Sequence, residues 1–199
     1  GLGFQAAGGI SSLPVIHGLA DDRVRIQVDG MGLMTACPNH MNPALSYISP
    51  TQVESINVYA GITPVSVGGD SLGGTIQIES ATPEFTSPGQ SNLIKGQIGA
   101  FYRSNGNVLG ANAEAILASE NLNLTYTGST VSADNYQAGG DFKAAGLTAP
   151  NRSWLAGDVV GSSAYEATNH SLGIAYREGH HLLTAKVDIQ NSPYEGFPN

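Results

Sequence analysis

Five stretches in the C-terminal part of this 199-residue chain alternate apolar and polar side chains with a period of two. In Leu93–Arg103, Ile94, Ile98, Ala100 and Tyr102 share one face, and Lys95, Gln97 and Arg103 share the other. Leu109, Ala111, Ala113, Ala115 and Leu117 alternate with Asn112 and Glu114, and Leu122, Leu124 and Tyr126 alternate with Asn121, Asn123, Thr125 and Thr127. Leu172, Ile174 and Tyr176 alternate with Ser171, Gly173 and Arg177, and Leu183, Ala185, Val187 and Ile189 with Thr184, Lys186 and Asp188. Successive Cβ atoms of a strand point to opposite faces, so each stretch makes a strand with one apolar side. Segments of about ten residues are long enough to cross hydrocarbon when tilted. A series of them is the sequence signature of an antiparallel transmembrane β-barrel. A soluble β-sandwich alternates in the same way and is the competing architecture.

Two details favour the barrel. Tyr102, Tyr126 and Tyr176 fall on the apolar face towards strand ends, where an interfacial aromatic girdle would lie. The connections at Glu120 and Glu178–His180 are tight, whereas Val131–Ser163 and the segment from Asn191 onward are longer and fall on one side, together with the short connection at Ser104–Asn107. Composition agrees. Only 12% of the residues are charged, against about 25% in an ordinary soluble domain, yet no apolar run approaches the ~18 residues of a spanning helix. A net charge of -8 argues against a nucleic-acid partner. Scarce charge also argues against disorder. Five strands cannot close a barrel, and open edges would leave backbone groups unsatisfied in lipid. The chain is therefore expected to be a fragment whose further strands follow Asn199, and its first residue, Gly1, reads as the start of a mature or trimmed piece.

The texture changes near Ser80–Gly89. Before it, Gly-rich turns separate short β-branched runs at Arg23–Val28, Ser55–Tyr59 and Thr75–Glu79. The first of these runs into Asp29-Gly30, a hairpin-turn signal, and the stretch from Ser49 to Glu54 could cap a helical turn. Ala81–Gly89, with Pro83 and Pro88, reads as a linker.

All three methionines and the single cysteine lie between Met31 and Met41. Cys37 has no internal disulfide partner. Thiolate and thioether are soft donors that select copper, Cu(I) above all. Pro38 suits the first position of a helix; Cys37 would then cap it, and Met41 would lie one turn later on the same side, so that both sulfurs could face one ion. His40 could add a nitrogen donor. Met and Cys are otherwise core fillers, but the flanking Gly, Pro and Asn do not make an apolar run. A nucleophilic Cys37 with His40 as its base is the enzymatic alternative, and it lacks an orienting group. Four other features read as structural. Gly68-Gly69-Asp70-Ser71-Leu72-Gly73-Gly74 lacks the ending of a phosphate loop and reads as a backbone turn. His180-His181 reads as a solvated pair, the Asn123-Leu124-Thr125 sequon lies inside a strand, and Asp21-Asp22 with Arg23 and Arg25 reads as a local charge pattern.

Two blocks carry a resemblance. Leu13-Pro14-Val15-Ile16-His17-Gly18-Leu19 with Asp22 to Gly30, and Val53 to Gly61 leading through Pro64 to Gly73-Gly74-Thr75-Ile76-Gln77-Ile78, resemble the plug domain of TonB-dependent outer-membrane receptors. Within that family, Ala36 to Pro43 looks like the Cys-x-x-x-Met motif of its copper receptors. The resemblance implies an α+β plug over residues 1–88, followed over 89–199 by the first strands of a barrel that has 22 strands when complete. It implies that Cys37 and Met41 are copper ligands, for Cu(I) or Cu(II), on the outward side of the plug, and it leaves His40 out of the site. It further implies a non-enzymatic receptor in the Gram-negative outer membrane, in contact with its lipid, that imports copper with energy from TonB–ExbB–ExbD. A TonB box before Gly1 and the family's His and Met ligands from a barrel loop have no match in these residues. Two other functions are carried alongside: a receptor of the same family for a siderophore or other organic ligand, and a soluble β-rich binding domain.

Overall fold

The computed structural model describes residues 1–7, 11–35, 43–48, 50, 53–69, 71–147 and 154–196. The N-terminal part opens on a hairpin of β1 (Leu2–Ala7) and β2 (Ser11–Ile16). A four-stranded mixed sheet follows, made of β3 (Val24–Val28), β4 (Met31–Leu33), β5 (Ser55–Ala60) and β6 (Gly74–Glu79) in the order β4-β3-β6-β5. Only the central pair β3/β6 is parallel. The three β-branched runs expected here are β3, β5 and β6. The hairpin β1–β2, rich in Gly and Ser and carrying Pro14 opposite Phe4, gives no such run.

Asp29 and Gly30 have φ of 50° and 80°, the left-handed values that a two-residue turn with the right twist requires at both positions. That turn sets Val28 opposite Met31. Gly74 has φ of 130°, and a Cβ there would run into the Tyr59 carbonyl oxygen. The glycine is what lets β6 start against the end of β5. Ile16, Val24, Ile26, Ala44, Ile76 and Ile78 form the buried core, and Val28, Leu33, Leu45, Ile48 and Val53 pack on it. Among the described residues the helical parts of this domain are short 3-10 turns, at Asp21–Arg23, Ala44–Tyr47 and Val65–Val67.

After residues 80–92, which contain no strand, come β7 (Leu93–Arg103), β8 (Val108–Ala118) and β9 (Leu122–Ala133), then the two-residue strands β10 (Gly146–Leu147) and β11 (Trp154–Leu155), then β12 (Tyr165–Glu178) and β13 (His181–Glu195). The long strands form one antiparallel sheet in the order β13-β12-β9-β8-β7. Its register keeps the apolar side chains on a single face. Ile94 lies opposite Leu117, Leu117 opposite Leu124, Leu124 opposite Ile174, and Ile174 opposite Ala185. A slip of one residue in any pair would move that strand's whole apolar set to the other side.

The two ends of the sheet differ. At one end the Asn121 amide donates to the Arg177 carbonyl at 2.8 Å, and the Arg177 N–H donates to the Asn121 carbonyl at 2.8 Å, tying the two tight turns together. At the other end the Ser104–Asn107 connection is bonded to the long 134–164 loop. The Asp134 N–H donates to Gly106 O at 2.7 Å, and Asn105 exchanges hydrogen bonds of 2.9 and 2.7 Å with Gln137. The short connection thus lies with the long loop, as its position in the strand order requires. Tyr102 and Tyr176 stand near strand ends, whereas Tyr126 lies further in, where its hydroxyl meets His170 Nδ1 at 2.9 Å.

Candidate metal centre

Met31 is the first residue of β4 and Met34 follows its last residue. They are 69% and 87% exposed, so neither thioether fills the core. Cys37, His40 and Met41 lie outside the described residues. Among the described residues no group of three His, Cys, Asp or Glu side chains could hold a metal ion. The chain re-emerges at Pro43, where the Ser46 N–H and hydroxyl both bond to the Pro43 carbonyl, at 2.8 and 2.7 Å. Ala44, in the turn that follows, is part of the buried core.

Contacts with the polar face of the five-stranded sheet, the wall on which this domain sits, order this region along the long strands. Nearest the tight-turn end, the Arg177 guanidinium lies 4.4 Å from the Phe85 ring centroid, the Asn123 amide donates to Glu84 O at 2.9 Å, and Lys95 pairs with the Glu84 carboxylate. Further along, Lys186 Nζ donates to Ser80 Oγ at 2.9 Å. Gln190 Nε2 donates to Ser46 O at 2.9 Å, four residues beyond Lys186. At about 3.3 Å per residue, Gln190 lies about 13 Å further along β13 than Lys186, so Ser46 meets the wall at a residue nearer the long-loop end than Ser80 does.

The minor motifs behave as structural elements. Gly68 and Gly74 have φ of 98° and 130°, and the Gly73 N–H bonds to Arg23 O at 2.7 Å, so the glycine-rich segment is a backbone turn pressed on its neighbours. Asn123 is 2% exposed with its amide on Glu84 O, so the sequon is a contact between the linker and the wall. Arg23 and Asp21 form an exposed ion pair at 3.4 Å. His180 and His181 are exposed at the β12–β13 turn. Sequence reading did not find the junction of Asp29, Ser80 and Lys186. Ser80 is 51 residues from Asp29 and 106 from Lys186, and no local pattern marks such a contact.

A small domain with its own core, seated on the polar face of a sheet whose other face is apolar, is the arrangement of a plugged barrel. Residues 1–75 match the family model for the TonB-dependent Receptor Plug Domain. The solved structures agree. The copper transporter OprC matches over 98% of this chain and 27% of its own, at 25% identity and a TM-score of 0.73. The FrpB iron transporter from Neisseria meningitidis, F3-3 variant, matches over 94% of this chain and 27% of its own, at 18% identity and a TM-score of 0.73. A mutant of the ferric enterobactin receptor PfeA from Pseudomonas aeruginosa matches over 96% and 29%, at 15% identity and a TM-score of 0.59. A comparison with curated proteins finds no match. Residues 1–75 are thus similar to the plug domain of TonB-dependent receptors, and the whole chain shares the fold of the matching stretch of these solved receptors and transporters. The fold is a plug domain followed by the first, unclosed strands of the receptor barrel, and the chain spans 27% to 29% of the length of these relatives.

Proposed function

We propose that this chain is the N-terminal part of a non-enzymatic TonB-dependent receptor of the Gram-negative outer membrane that captures copper and imports it with energy from TonB–ExbB–ExbD. Residues 1–88 are the plug in this reading, and residues 89–199 begin the barrel, with the apolar face against lipid. Cys37 and Met41 are the plug's copper ligands, and the cargo is Cu(I) or Cu(II). The observation that carries the reading is the gathering of every sulfur in the chain into Met31–Met41, in a fold shared with the copper transporter OprC. Two facts about the flanks support it. Met31 and Met34 are exposed rather than packed, and the segment's exit is held at Ser46, towards the long-loop end of the wall. In the family that end faces outward, the side from which copper arrives in this reading.

A ferric-siderophore cargo is the second reading, because the FrpB iron transporter matches with the same TM-score as OprC. The two separate in a transport assay with the full-length receptor in an outer-membrane reporter strain. Copper import predicts radiocopper uptake that requires TonB and is unaffected by excess ferric siderophore. Iron-chelate uptake by the same strain, with no TonB-dependent copper uptake, would replace the first reading by the second.

A further inference from the structure

The four sulfurs of the chain stand at Met31, Met34, Cys37 and Met41, at intervals of three, three and four residues. A chain spans at most about 3.6 Å per residue, so successive donors in this series are attached to backbone no more than about 11 to 14 Å apart. The copper site proposed above uses the last two. The first two lie among the described residues, and the structure gives their surroundings.

Met31 opens β4 opposite Val28, directly after the Asp29-Gly30 turn, and Met34 follows the other end of the strand. Between them Leu33 lies opposite Ile26 and packs on the core. The two thioethers do not share that burial and are exposed. β4 is an edge of the plug sheet, with β3 on one side alone, so an ion can pass around it from one face to the other. Met34 also borders a half-open cleft of about 400 Å³ with an apolar floor, where Thr35, Asp21 and Asp22 supply oxygens. There is room for an ion beside its sulfur.

The series has a direction. The turn beside Met31 is bonded through Asp29 to Ser80, which meets β13 at Lys186. Ser46, shortly after Met41 in the chain, meets β13 at Gln190, nearer the long-loop end. Counted back from Met41 to Met31, the donors lead from the long-loop end towards the tight-turn end. In an outer-membrane barrel the tight turns are periplasmic.

We propose that Met34 and then Met31 are transfer ligands, single thioethers that take copper in turn as it leaves Cys37 and Met41 for the periplasm. This role rests on the copper reading above and adds two residues to it. A thiolate with a thioether holds copper tightly, whereas one uncharged thioether is a soft but weak donor, suited to passing the ion on. In each step one copper–sulfur bond breaks and another forms. The released sulfur keeps its electron pair, water fills the other positions, and copper keeps its oxidation state.

The test separates holding copper from moving it, in the full-length receptor. Met31→Leu and Met34→Leu remove the sulfur with little change of volume, singly and together. Copper content after a chelator wash is expected to stay at one ion per receptor in all three. TonB-dependent radiocopper uptake, per folded receptor, is expected to fall at least tenfold in the double variant and about three- to fivefold in each single one. Restoring one sulfur as Met34→Cys beside Met31→Leu is expected to regain the rate of Met31→Leu alone, which a packing role does not predict. Should the double variant fail to fold, the single ones decide. Uptake within twofold of the parent in the folded leucine variants overturns the transfer role. Loss of the tightly held ion from them overturns it too, because the sulfurs would then belong to the holding site. A parent receptor without TonB-dependent copper uptake overturns the cargo reading itself, and the transfer role with it.

Discussion

The two halves of this molecule use the same apolar residues in opposite senses. In the plug, alternation turns inward. Ile76 is 2% exposed and belongs to a core shared by β3, β6 and the Ala44–Tyr47 turn. In the wall, alternation turns outward. Ile98 is 86% exposed, and the register aligns it with Ala113 on the next strand in a continuous apolar face. The polar residues are inverted too. Asn123 is buried because the wall's polar side receives the linker. One half is stabilised by removing apolar area from water within the protein; the other leaves its apolar face uncovered by protein, and in the proposed receptor lipid covers it.

That contrast can be broken from either side. Ile76→Ala leaves a cavity in the plug core and is expected to cost about 2–5 kcal/mol, read by urea denaturation of the full-length receptor in lipid vesicles. Ile98→Ala in the same assay is expected to cost far less, since no protein core surrounds that side chain. Ile98→Arg removes that tolerance. In the proposed receptor it places a charge on the face turned to lipid, where near the bilayer midplane it is expected to cost about 2–4 kcal/mol, read as reduced folding into vesicles. An unchanged yield of folded Ile98→Arg would mean that the outward face does not meet hydrocarbon. Gly74→Ala pushes a Cβ towards the Tyr59 carbonyl and is expected to cost more than about 1 kcal/mol, confined to the plug transition. The smallest effect is expected from Tyr126→Phe, which removes the hydroxyl from His170. A net hydrogen bond is worth about 0.5–1.5 kcal/mol, and the loss is expected in the wall transition alone.

The wall was the more legible half. A period of two repeated through five strands fixes which side chains share a face, among them Ile94, Leu117, Leu124 and Ile174, and the short turns of the hairpins fix the register along them. The plug was legible where β-branched runs and the Asp29-Gly30 turn marked β3, β5 and β6, and illegible in β1, β2 and β4. Those strands carry Gly, Ser and Pro and are held by pairing rather than by their own propensity. Tyr126 was legible as an apolar-face residue, but its place within the strand was not, because β9 runs on to Ala133 rather than ending near Val131. The candidate metal centre shows the reverse balance. Cys37 and Met41 stand out in the sequence by residue type and spacing and lie outside the described residues, whereas the flanking Met31, Met34 and Ser46 are given by the structure.

The central claim is that copper is held by sulfur on the plug. It is tested most directly by the metal content of the full-length receptor, purified with copper and washed with a competing chelator. The expected result is one tightly held copper ion per receptor, lost in Cys37→Ala and in Met41→Ala but retained in His40→Ala, with all three variants folded. Copper retained in both sulfur variants, or absent from the parent, would contradict it.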